Sequence, residues 1–98
     1  MRKNRRIRFV LTDHAYFRIK QRIAGYENYS LLFIQAMVND LLRNIKPGRA
    51  DDATLFFINP NNPRFVFTAR QSGLNEFTII TYKKLSTSKD VIMYGQEE

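Results

Sequence analysis

Leu11-Thr12-Asp13-His14-Ala15-Tyr16-Phe17-Arg18-Ile19-Lys20-Gln21-Arg22-Ile23 is the stretch on which the fold turns. Placed at 100° per residue, it reads as a helix with two adjacent stripes. His14, Arg18 and Arg22 fall within about 80° of one another, and Ala15, Ile19 and Ile23 form the next stripe round, continued by Tyr16. One stripe can enter a core while the other faces a cleft or an anion. Thr12 or Asp13 can accept a hydrogen bond from a free N–H of the first turn, and Asp13 suits the positive end of the helix dipole. Gly25 is the expected C-terminal cap, so the spacing predicts a helix over residues 12–24.

Working outward, residues 1–4 read as a loose basic tail. Arg5 to Leu11 alternates, with Ile7, Phe9 and Leu11 on one side, which predicts a short half-buried strand or an extended arm. Downstream, Gly25-Tyr26-Glu27-Asn28 is a connector that Asn28 or Ser30 can end by capping the next element. Tyr29 to Lys46 is the strongest helical pattern, with Leu31, Ile34, Val38, Leu41, Leu42 and Ile45 at helical spacing. Phe33, Ala36 and Met37 widen its apolar face, and the Phe33–Met37 edge is a candidate homodimer surface. Pro47-Gly48 ends the helix.

The second half reads as strands. Thr54 to Ile58 is a buried type, and Asn59-Pro60-Asn61-Asn62-Pro63 is a turn by composition. Arg64 to Arg70 alternates, with Phe65, Phe67 and Ala69 on one face and Arg64, Val66, Thr68 and Arg70 on the other. Gln71 to Asn75 reads as a hairpin loop, Glu76 to Lys83 as the next strand, and Asp90 to Tyr94 as a short edge strand. Helices followed by strands predict an α+β fold, with two N-terminal helices packed on a three- to four-stranded antiparallel sheet. The row Arg64, Thr68 and Arg70 is expected to line the sheet face that the helices leave open. The whole chain, 1–98, reads as a single domain with a flexible C-terminus over 95–98.

Composition sets the partner class. Sixteen Lys and Arg against nine Asp and Glu give a net charge of +7, and five of the first eight residues are basic (Arg2, Lys3, Arg5, Arg6 and Arg8). Such a balance favours polyanions through counterion release, so RNA or another nucleic acid is the expected partner. The absence of cysteine excludes disulfides and thiolate metal sites. One histidine without a carboxylate cluster offers no metal site, and no motif calls for a cofactor. No run reaches the roughly 18 apolar residues of a membrane span, and no secretory leader is recognisable. The expectation is a cytoplasmic protein of bacterial or phage type, with no membrane partner.

Metal-free cleavage of RNA needs a base for the 2′-OH, an acid for the leaving 5′-oxygen and cations for the charge on phosphorus. His14 is the candidate base or acid, with Tyr82, Lys83 or Glu76 as the second proton-transfer group. Arg18, Arg22, Arg64 and Arg70 are candidate phosphate clamps, joined by Arg5, Arg6 and Arg8 from the basic N-terminus. Each has a plainer reading: a structural His14, a solvated helix face for Arg18 and Arg22 or one salt-bridged to Glu27, Asp51 or Asp52, and a solubilising basic tail. The alternative is a non-catalytic regulator of phage or plasmid type that binds nucleic acid or a host protein through the same basic face.

Thr12-Asp13-His14-Ala15 followed by Arg18 and Arg22 resembles the opening helix of the small DUF4258-type proteins, and Phe77 to Lys84 resembles their closing strand. The likeness spans residues 9–85. It implies a fold like that of RelE-type toxins and the barnase and colicin ribonucleases. The resemblance implies a ribonuclease-like toxin or a relative of one, with an antitoxin or a host protein as the expected protein partner. His14, Arg18, Arg22, Thr81 and Tyr82 carry over as site residues.

Overall fold

The computed structural model describes residues 7–85. Arg5, Arg6, the 1–4 tail, the strand expected at Asp90–Tyr94 and the 95–98 terminus lie outside the described residues. The first element is a strand, β1 (Arg8–Leu11), and it leads directly into the helix α1 (Asp13–Arg22). Thr12 sits between them as the N-cap, its hydroxyl accepting from the Ala15 amide. The same hydroxyl donates to the carbonyl of Ile80 at 3.1 Å, and the Thr12 amide donates to Ile79 at 3.1 Å. One residue thus ends a strand, starts a helix and ties both to the last strand of the sheet.

Helix α1 stops at Arg22, earlier than its apolar pattern suggests. The chain then turns through Ile23 to Tyr26, closed by a hydrogen bond from the Tyr26 amide to the Ile23 carbonyl. Gly25 takes the left-handed backbone conformation in this turn, at φ +92°. Helix α2 (Leu31–Leu42) starts at Ser30, whose hydroxyl accepts from the Phe33 amide. Its Ile34, Val38 and Leu42 are buried, as helical spacing predicts. The remaining strands are β2 (Gly48–Arg49), β3 (Leu55–Ile58), β4 (Phe65–Gly73) and β5 (Glu76–Lys84).

These elements form an α+β fold with a five-stranded mixed sheet in the order β1-β5-β4-β3-β2. The expected three- or four-stranded antiparallel sheet needs two corrections. First, β1 pairs with β5 in parallel, Phe9 opposite Phe77 and Leu11 opposite Ile79, so the N-terminal segment belongs to the sheet. The reason is connectivity. A strand that precedes both helices returns to the sheet edge beside the last strand of the meander. Second, β2 adds an edge strand where Pro47-Gly48 reads only as a helix stop. Strand β4 also runs through Gln71 to Gly73, leaving Leu74 and Asn75 as the turn.

The main core lies between the helices and one sheet face. Phe9, Ala15, Ile19, Ile34, Val38, Leu42, Phe57, Phe67, Ala69, Ile79 and Tyr82 are buried together. The other face is not the open surface expected for the Arg64, Thr68 and Arg70 row. Val66 and Thr68 are buried there, and Phe56 and Val66 form a second cluster with Ala50, Ile58 and Leu85 against it. Within the row, Arg64 and Arg70 are exposed.

Gly48 in β2 lies opposite Phe56 in β3, and a Cβ at position 48 would run into the Phe56 ring. Gly48→Ala must push that ring out of its contact with Val66. Urea unfolding should show a loss of about 1–3 kcal/mol, and Phe56→Ala in the same chain should remove most of the added cost.

Candidate functional site

Helix α1 presents His14, Arg18 and Arg22 along one side, because Ala15 and Ile19 are fully buried on the next stripe. The Arg18 Nε lies 3.5 Å from the His14 Nε2, a long contact, and its guanidinium lies 3.4 Å from the Gln21 side-chain oxygen. Among the described residues the ion pairs are Arg8–Glu76 and Arg43–Asp40, so neither α1 arginine is spent on a carboxylate. The competing picture of Arg18 and Arg22 held by Glu27, Asp51 or Asp52 is therefore not what the fold builds. Asp51 instead accepts from the Ala53 and Thr54 amides of its own turn, each at 2.9 Å. The hydrogen bond from Ala53 does most to hold its carboxyl below the usual carboxylate range, and the charge of Arg70 adds to this.

Arg22 opens onto a cavity of about 390 Å³ between the end of α1, helix α2 and the turn after β3. Tyr26, Asn59, Asn61, Asn62 and Tyr82 supply its polar groups, and Ile23, Ala24 and Leu41 its apolar wall. A second cavity of about 290 Å³ shares Tyr26, Leu41 and Asn61 with it. Asn59 is 4% exposed and holds the site together. Its side-chain NH₂ donates to the Tyr82 hydroxyl at 2.8 Å, and its side-chain oxygen accepts from the Asn61 amide at 2.9 Å. The turn that composition identifies is thus also the element that anchors Tyr82.

The candidate site residues separate into two groups. His14, Arg18, Arg22 and Tyr82 belong to the helix side of the sheet. Lys83 and Thr81 neighbour Tyr82 in β5 and alternate to the opposite face, where Thr81 pairs with Thr68 and Lys83 with Val66. Tyr82 and Lys83 therefore cannot serve one reaction centre together. Arg8, salt-bridged to Glu76 at 3.7 Å, and Arg70, opposite Thr78, are on strands that α1 does not bring to His14. Arg64 follows the turn and is exposed.

Tyr82 is 1% exposed, stacked at 5.0 Å on Phe65 and at 4.5 Å from the Phe67 ring. Its ring is core, and its hydroxyl is held by Asn59, which lines the cavity with it. Burial pushes its phenol above the ordinary value of 10.0, and Tyr26 adds to the rise, while the Asn59 hydrogen bond and the Arg22 charge oppose it. Burial likewise raises Tyr26, with Tyr29 adding to it. A folded phenol that keeps its proton after the unfolded chain has lost it stabilises the fold below about pH 10, and that stabilisation is lost as pH rises further. Tyr82→Phe should cost about 1 kcal/mol at neutral pH through the stranded Asn59 donor, and should flatten the alkaline fall in a melting series.

Asn59 is the residue that reading the sequence for chemistry passes over, since it looks like turn composition, whereas Tyr26 is legible there as a phenol that can stack on a base at a wet face. No family model matches the chain, and no curated protein or solved structure matches it. Among the described residues no group of His, Asp and Glu could hold a metal ion, and no helix is long and apolar enough to cross a membrane.

Proposed function

We propose that this protein binds RNA through the His14–Arg18–Arg22 side of α1, and that its fold and site are those of a RelE-like, toxin-type ribonuclease. The observation that carries the reading is the pair of α1 arginines. They share a helix stripe with the lone histidine, lack carboxylate partners among the described residues, and end at a polar cavity. Guanidinium groups without a carboxylate partner in such a row match the spaced charges of a phosphate backbone. Two cations of the opposite sheet face have carboxylates beside them, Arg8 with Glu76 and Arg70 with Asp51.

Cleavage without a metal is the enzymatic form of this proposal. His14 is the exposed acid–base group, with Arg18 and Arg22 stabilising the charge on phosphorus. Tyr82 acts by position, through the hydroxyl that Asn59 holds, since its ring is buried. The alternative is a regulator that binds nucleic acid or a host protein by the same helix without turnover. An antitoxin would be the natural partner of the toxin form.

Incubation with defined RNA in EDTA tests both forms. Cleavage by wild type, and by neither folded His14→Ala nor folded Arg18→Ala, supports the enzyme. Salt-sensitive retention without cleavage supports the binding protein. The absence of both signals overturns the proposal.

A further inference from the structure

On the RNA-binding reading above, we infer that the ligand is single-stranded RNA, and that the cavity beside Arg22 takes one unpaired base. Two polar side chains there have unused hydrogen-bonding groups. The Tyr26 hydroxyl has no hydrogen-bond partner among the described residues, although burial raises its pKa. The Asn61 side-chain amide likewise has none, while its backbone N–H is held by Asn59. A phenol and a primary amide each offer a donor and an acceptor, the combination carried by the edge of a nucleobase.

The walls suit a flat ring. Leu41 and Ile23 are apolar, and the Tyr26 ring borders both this cavity of about 390 Å³ and the adjoining one of about 290 Å³. Volumes of this order accept a small planar ligand. Arg22 stands at the rim, where the α1 stripe delivers the backbone, so a phosphate on Arg22 leaves the attached base free to turn inward. Bases in a duplex are stacked and paired and cannot make that turn without being extruded, whereas a single strand presents them at little cost.

Fluorescence anisotropy of the full chain with short labelled homopolymeric RNAs and with a matched duplex tests the inference. Wild type should bind single strands more tightly than duplex. Tyr26→Ala should weaken single-strand binding about 10-fold and leave duplex binding unchanged, and Tyr26→Phe, which keeps the ring but loses the hydroxyl, should recover only part of that loss. Asn61→Ala, an exposed turn position, should narrow the differences among homopolymers whether or not the Tyr26→Ala chain folds. Equal affinity for single strand and duplex, or no response to Asn61→Ala, overturns the base pocket and leaves the basic-helix reading standing. Failure of wild type to bind any RNA overturns both.

Discussion

Asn39→Ala should cost the fold about 3 kcal/mol, the largest loss expected from a single polar side chain. Strand β1 is an edge strand, and Phe9 turns its backbone groups away from β5 toward α2. Asn39 meets both of them. Its side-chain oxygen accepts from the Phe9 amide at 2.7 Å, and its NH₂ donates to the Phe9 carbonyl at 2.8 Å and to the Gln35 carbonyl at 2.7 Å. One turn earlier, the Gln35 side-chain oxygen accepts from the Leu11 amide at 3.0 Å. Two amide side chains on a helix thus stand in for a missing sixth strand and close an edge that would otherwise invite another chain.

Phe9 is 1% exposed, so removing Asn39 strands a donor and an acceptor away from water, each at about 1–3 kcal/mol. Domains of this size hold about 5–15 kcal/mol in all, and the thermal midpoint should fall by more than about 10 °C. The neighbouring Asp40→Ala, on the exposed side of α2, should stay within about 0.5 kcal/mol. The Asn39→Asp variant separates polarity from packing. It keeps the acceptor for the Phe9 amide and sets a carboxylate against two carbonyls. It should be as unstable as Asn39→Ala at neutral pH and should recover as acid protonates it. Equal melting of Asn39→Ala and Asp40→Ala would show that α2 does not clamp β1.

Asn39 also marks where the sequence stops being legible. Its helix is evident from spacing alone, since Ile34, Val38 and Leu42 repeat at the helical period and are buried. Thr12 and Ser30 are readable as caps because the chemistry is local. Nothing local says that Asn39 reaches Phe9, 30 residues back, or that β1 joins β5, because both follow from where the two helices return the chain. The faces of β5 are hidden for a different reason. Thr68 pairs with Thr81 and Ala69 with Ile79, so Ile80 is an extra residue that shifts the alternation. Ile79 and Tyr82 thereby both face the core, which strict alternation forbids. Tyr82 could be named as a site residue, and its separation from Lys83 follows from the alternation of strand neighbours, but its burial in the core could not be read. The stripe of His14, Arg18 and Arg22 was legible because it depends on one helix; its meeting with Asn59 and Asn61 depends on three elements.

Arg18→Glu combined with Arg22→Glu should abolish RNA retention, with a loss of at least about 100-fold in affinity, since each charged hydrogen bond to phosphate contributes about 1.5–3 kcal/mol. The informative comparison is Arg70→Glu combined with Lys83→Glu. Both pairs lower the net charge from +7 to +3, so general attraction to a polyanion falls equally. They differ in place: the first pair lies on α1, and the second on β4 and β5, where Lys83 turns away from Tyr82 and Arg70 has Asp51 nearby. If α1 tracks the backbone, only the first pair also flattens the dependence of log K on log salt. Two lost phosphate contacts on a single strand correspond to a slope change of about 1.4. Equal losses with unchanged slope in both variants would mean that charge alone attracts RNA. A larger loss from the Arg70 and Lys83 pair would move the interface to the opposite sheet face. Both substituted pairs are on exposed or half-exposed positions, so melting curves close to wild type should accompany either result and keep the readout one of binding rather than folding.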